Sequence, residues 1–372
     1  MNLDQELAQI SFEKPLNAEW LDDPLAKAPH FVTFYPEILA PRKAFQMDGM
    51  SPFVASVHYF KDYGEYRAHE LMRTRVREEF WDSIKRASIH FERRQWDFFG
   101  DEVQLILEEK LKKTFRQRAR QMSEVVGYSV QWFTFRYDHL WKSEAVHFAR
   151  AFVAHPAELR NLAVEYQKSS RLIHIWRQIM SLHDDYVGRY TSWMPILQLR
   201  YWKTTPSDLG DLVVSDKRFD ELKSIYLNAF ELLGRMSTIA LAVELIATTG
   251  ATNIPTKNGG MTIWQFEQMK NGVKPTQLTK YAATKHLAPL LKTELRNGIG
   301  HNAAHYDPVT DEVVCIEETG ALLKEWRLSY SGFCHATVEL VSTVFFMEQY
   351  FFDLLGMAKD LLPTRKRPKK VL

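Results

Sequence analysis

The sequence predicts a mainly α-helical fold, in which an N-terminal helical region is followed by a C-terminal helical bundle carrying a small β-hairpin. Three observations predict it. Long runs free of proline and glycine fill 66–98, 101–126 and 143–153. Apolar residues recur at three- and four-residue steps from Phe219 to Val243, the period of one helical face. The β-favouring "VVCI" at 313–316 stands between turn formers, which reads as a hairpin.

The elements follow in chain order. Residues 1–60 read as loop-rich, because Pro15, Pro24, Pro29, Pro36, Pro41 and Pro52 are spaced too closely for long helices. Helical patterning dominates from about 64 to 200. The stretch "TTPSDLGDLVVSDKRF", 204–219, gathers Pro206, Gly210 and several turn formers, and predicts a join near 206. The chain then divides into an N-terminal region of unassigned role, 1–205, a helical domain, 206–357, and a basic tail, 358–372.

In the second region Phe219, Leu222, Tyr226, Ala229, Leu233, Met236, Ala240 and Val243 form one stripe, with Ile225, Leu232, Ile239 and Ile246 beside it. That pattern is one long helix with a wide apolar face. The loop "GATNIPTKNGG" leads to a short helix over 261–271, and 276–297 carries a second long helical pattern broken or kinked at Pro289. The hairpin follows in "HYDPVTDEVVCIEETG". The final helix, 331–357, is apolar on several faces, which predicts packing against a partner as well as the core.

Composition narrows the function classes. With 45% hydrophobic and 25% charged residues, a chain of 372 reads as a soluble globular protein of two or more domains. A net charge of +2 is too small to mark a general nucleic-acid or membrane binder, so an anion site has to be a local concentration of charge. The two cysteines, Cys315 and Cys334, make no disulfide framework, which fits a reducing cytoplasm. The acidic start "MNLDQELAQI" has no signal-peptide pattern. The most apolar segments, 236–251 and 338–355, are interrupted by Glu244, Glu339, Glu348 and Asp353, so they read as buried helices with no membrane partner.

Chemistry concentrates in "LKTELRNGIGHNAAHYDPVTDEVV", 291–314, where Gly298 and Gly300 separate Arg296 from His301. Five residues of ideal helix turn through about 500°, leaving two such side chains about 140° apart. Glycines permit positive φ, so the helix is expected to unwind after Asn297 and swing His301 toward Arg296. A guanidinium fork suits a phosphate and an imidazole can exchange a proton near neutral pH, so the pair makes a minimal phosphoryl-transfer site without metal or cofactor. Chance alone supplies roughly one Arg-x4-His pair in a chain of this content. Arg150 and His155 form such a pair, but no glycine lies between them.

"ELRNGIGHN", after a long helix and before a short hairpin, resembles the signature of the HEPN superfamily: Arg, usually Asn next, and His four to six residues after the Arg. The likeness covers roughly 215–357. It implies a helical bundle, a homodimer that brings two motifs together, and metal-independent endoribonuclease activity in antiphage defence, abortive infection or toxin–antitoxin pairs. By that match Arg296 and His301 take the catalytic positions and Asn297 the supporting polar one. An acidic residue on an earlier helix also assists many members; Glu231 and Glu244 are the candidates, and the sequence does not choose between them.

The neighbouring Asn302, His305 and Tyr306 are further candidates for support or RNA contact. The expected partners are therefore an RNA substrate, a second copy, and an antitoxin or defence-system protein. Two alternatives stand beside this reading. One is a noncatalytic helical binding module. The other is a metal-dependent hydrolase using the i, i+4 spacing of His301 and His305, although Asn302 occupies the place of the general-base Glu in HExxH. Two basic segments could touch phosphate. Residues 108–120 read as a solvated helix face paired with Glu108 and Glu109, and the tail 364–370 as a nonspecific RNA contact or solubility aid.

Overall fold

The chain is mainly helical, as the sequence predicts, with a few small antiparallel strand sets. The computed structural model describes residues 39–41, 59–135, 138–203, 209–214, 217–255, 260–301, 303–319 and 322–363. Most of the loop-rich start, the expected join at 206, Asn302 and the basic tail from 364 lie outside the described residues.

The first half builds a layer of helices: α1 (Tyr63–Arg75), α2 (Trp81–Arg93), α3 (Trp96–Leu107), α4 (Phe115–Phe133), α5 (Asp138–Ala154), α6 (Pro156–Lys168) and α7 (Arg171–Gly188). A π-helical turn, Val76–Phe80, links α1 to α2. The helix face expected over 108–120 begins only at Phe115, and 108–114 is a loop. Glu108 takes a left-handed conformation (φ 56°) and ends α3, and Thr114 opens α4 with a capping box on Gln117. Two of the basic residues there are tied to their own loop. Arg118 Nε donates to the Lys112 carbonyl at 2.8 Å, and Lys112 pairs with Glu109.

Strand β1 (Leu39–Pro41) pairs antiparallel with β2 (Leu212–Val214), register Leu39 to Val214. The expected boundary segment is therefore partly a buried strand, and Ser331 Oγ donates to the Leu209 carbonyl beside it.

The long helix α8 (Phe219–Thr249) forms as its apolar period predicts and stops at Gly250 (φ 69°), where a side chain would strike the His155 ring. Strands β3 (Asn253–Ile254) and β4 (Met261–Thr262) close the next loop, and Thr262 caps the short α9 (Ile263–Gln268). The helical pattern over 276–297 is broken at Pro289, one of the two outcomes expected, and its first part is more fragmented than the pattern suggests. Short turns at Pro275–Leu278 and Lys285–Leu290 precede α10 (Thr293–Gly300), because Pro289 removes a backbone donor and Lys292 enters α10 extended. After α10 come β5 (Ala304–Asp307) and β6 (Glu312–Thr319), which form the expected hairpin, and β7 (Leu322–Ser329), which extends it to a three-stranded antiparallel sheet.

The last helix, α11 (Tyr330–Ala358), is buried along nearly its whole length. It packs on α8 and also on α4, α5, α6 and α7. Its extra apolar faces, expected to meet a partner, are satisfied within the chain. Residues 37–372 accordingly form one compact unit, with helices from both sides of 206 in a shared core. Trp176 shows the sharing: fully enclosed on α7, it meets Phe91 of α2 and Phe351 and Phe352 of α11 with ring centroids 5.6–6.2 Å apart. Among the described residues no helix is long and apolar enough to cross a membrane.

Trp176→Ala is expected to lower unfolding stability by about 3–5 kcal/mol, because it empties a site that both halves of the chain line. Urea denaturation followed by circular dichroism checks this, and a loss below about 1 kcal/mol would contradict a shared core.

Candidate functional site

A cleft of about 720 Å³ opens between α8, the 267–274 segment and α10, and Glu231, Arg296, Asn297 and His301 all line it. The sequence motif and one of its two acidic candidates therefore meet on one surface. Glu231 Oε1 accepts from Arg296 Nε at 3.1 Å and from Nη2 at 2.9 Å, while Oε2 accepts from Asn271 Nδ2 at 2.8 Å. Both carboxylate oxygens are thus engaged, by residues from two separate segments. The pair is partly solvent-exposed, so it contributes about 0–1 kcal/mol and acts mainly by aiming the guanidinium. Its geometry leaves Arg296 Nη1 outside the pair and over Gly300, 3.5 Å from where a Cβ would stand.

The glycines of the motif work differently from the expectation. Neither Gly298 nor Gly300 has positive φ, and α10 runs through both before His301 caps it at φ −95°. The helix does not unwind after Asn297. Gly298 is required by packing instead: a Cβ there would lie 2.6 Å from Cys315 Cβ, so its absence lets α10 rest directly on β6. Arg296 lies one helical turn before Gly300, with Nη1 beside that residue, and lines the same cleft as His301.

A third glycine sets the opposite wall. Gly234, within α8, has no room for a side chain, since a Cβ would sit 2.1 Å from Asn271 Oδ1. The Asn271 carboxamide therefore lies flat on α8, three residues from Glu231, which it holds. Gly272 presses the same segment against Thr293, where a Cβ would come within 2.8 Å. Lys274 closes the end of the segment: its side chain is buried, and Nζ donates to the Gly234 carbonyl at 2.6 Å. Burial pulls its pKa down to about 8, against the opposing pull of Glu267 and Glu231. Arg235 and Lys270 add cations to the wall, so the positive groups outnumber the two carboxylates, Glu231 and Glu267. Chemically the cleft suits an anion whose charge can be met from several sides.

The remaining candidates lie elsewhere. Glu244 is buried 13 residues further along α8, roughly 20 Å from Glu231, and its Oε2 accepts from the Ala283 amide at 3.0 Å. Burial raises its pKa. His305 is exposed on β5, so His301 and His305 do not share a helical face as the metal reading requires. Tyr306 donates to Asp311 Oδ1 at 3.0 Å and packs edge-on to Tyr330, where Lys217 also reaches Asp311. Arg150 sits on α5, and His155 is the residue preceding α6, packed over Gly250. Sequence reasoning missed Asn271, Lys274 and Gly234; the one signal for them was a glycine inside a long apolar helix, which usually marks a close approach.

No family model, curated protein or solved structure matches the chain.

Two outcomes follow from the packing. Gly298→Ala is expected to cost about 1–3 kcal/mol through overpacking, whereas Gly300→Ala is neutral or gains up to about 1 kcal/mol from helix propensity; equal losses in thermal denaturation would contradict these roles. Lys274 has a folded pKa of about 8, below the ordinary lysine value of about 10.4, so the unfolded chain binds more protons between them and stability rises with pH across that window. Comparing unfolding of the native chain and Lys274→Met from pH 7 to 11 isolates this slope; parallel curves would contradict it.

Proposed function

We propose that the chain is a metal-independent endoribonuclease of the HEPN type. The observation that carries the reading is Arg296, held by Glu231 and joined by Asn297 and His301 on one wall of a cationic cleft. RNA supplies its own nucleophile there. The ribose 2′-hydroxyl attacks the adjacent phosphorus, the P–O5′ bond breaks, and the products are a 2′,3′-cyclic phosphate and a 5′-hydroxyl. One proton leaves the 2′-oxygen and one arrives at the 5′-oxygen, so the net proton count is unchanged.

Arg296 stabilises the charge that builds on the phosphoryl oxygens, with Nη1 outside the Glu231 pair to meet one of them. His301 transfers a proton at the exposed end of α10. Glu231 aims the guanidinium, and Asn297 adds a polar contact to the same wall. If the chain pairs with a second copy, one His301 serves as base and the other as acid. Service in antiphage defence or a toxin–antitoxin pair belongs to the same proposal.

Purified protein incubated with total RNA and a chelator is expected to cut it, leaving cyclic-phosphate ends. Arg296→Ala and His301→Ala should each lower the rate by about 10²-fold or more, and Glu231→Gln by a smaller factor, since Arg296 survives but is less firmly aimed. Cleavage that requires added metal, or unchanged cleavage by either alanine variant, would overturn the proposal.

A further inference from the structure

The cleft holds more positive charge than its carboxylates cancel. Both of those carboxylates are met by arginines. Glu231 is paired with Arg296, and Glu267 with Arg171 of α7, whose Nε lies 2.8 Å from Glu267 Oε2. Arg235, Lys270 and Lys274 also line the cleft, and among the described residues no carboxylate pairs with any of them.

These three cations gather round the contact of Asn271 with Gly234. Arg235 follows Gly234 directly on α8, Lys270 directly precedes Asn271, and Lys274 Nζ donates to the Gly234 carbonyl at 2.6 Å. Arg235 Nη1 donates to Gln178 Oε1 of α7 at 2.8 Å, which fixes the guanidinium and leaves Nε and Nη2 without a protein partner. Lys270 is exposed at the rim. Lys274 lies buried behind them; burial does most to disfavour its charge, Glu267 and Glu231 favour it, and Arg235 adds a repulsion. Cations crowded in one concavity repel each other, and an anion laid between them relieves that repulsion.

The group is offset from the Arg296 pair. Arg235 follows Glu231 by one helical turn, about 6 Å along α8, and both residues line the cleft. One nucleotide of an extended strand bridges such a step.

We propose that Arg235 and Lys270 form a second phosphate subsite, which takes the phosphodiester next to the one held by Arg296 and His301. The inference rests on the RNA reading of the cleft and adds a substrate class to it: a strand with at least two successive phosphates, gripped by its backbone. Lys274 touches no ligand and raises the positive potential from behind.

Two short ligands with 2′-O-methyl riboses, which cannot be cut, separate the subsites: a dinucleoside monophosphate with one phosphodiester and a trinucleoside diphosphate with two. Isothermal titration of the full chain is expected to give at least about tenfold tighter binding of the second, the worth of one charge-assisted contact. The double variant Arg235→Gln, Lys270→Gln should close most of that gap while affecting the one-phosphate ligand far less. If the double variant loses its native Tm through the Gln178 contact, Lys270→Gln alone decides; at an exposed position it should keep the Tm and narrow the gap. Equal affinity for the two ligands in the native chain, or a gap that persists in the variant that decides, overturns this inference and leaves the RNA reading standing. Binding of neither ligand at millimolar concentration overturns both.

Discussion

The candidate site depends on one carboxylate. Glu231 reaches from α8 to Arg296 on α10 with one oxygen and to Asn271 with the other, so three segments distant in sequence are tied at a single point. A partly exposed ion pair adds little to stability. Its effect is directional: it fixes which edge of the guanidinium faces the cleft. The close approaches around it are set by absent side chains. Gly234 admits Asn271, Gly272 admits Thr293 and Gly298 admits Cys315, each at a distance that no Cβ could tolerate without movement.

What holds these contacts in place is the pairing of α8 with α11, both buried on more than one face. Burial of each large apolar side chain contributes roughly 1.5–3 kcal/mol, so the many rings and aliphatic groups along these helices outweigh the polar contacts at the cleft. The first-half helices are part of the same core, wrapping α11 and receiving its outer faces. The helix α7 also reaches the cleft wall directly, where Arg171 pairs with Glu267 and Gln178 accepts from Arg235 Nη1.

Much of this was legible in the residues. The apolar stripe beginning at Phe219 marks α8 almost end to end, and the run from 331 to 357 marks α11. The motif around Arg296 and His301 also lies on a common cleft, but the physical cause was misread. Glycine in a sequence announces freedom without saying whether the chain spends it on a torsion or on proximity, and Gly298 uses proximity. The choice between Glu231 and Glu244 was invisible because both fit one helix; only the placement of Asn271 and Arg296 separates them. The short turns at 275–290 carry an apolar spacing that mimics one helix; the break at Pro289 is legible, while the further break before Lys285 depends on local hydrogen bonding. Partner packing was inferred from the apolar excess of 331–357, an excess that the first-half helices absorb within the chain.

The central claim is that the cleft holds a phosphodiester between Arg296 and His301. The most direct measurement is a crystal structure of the chain with a short RNA that carries a 2′-O-methyl group at each nucleotide and so cannot be cut. The account predicts one phosphate within hydrogen-bond distance of both Arg296 Nη1 and the His301 ring, with Glu231 still bonded to Nε. A phosphate bound elsewhere, or an RNA that leaves the Arg296 and His301 side chains untouched, would contradict it.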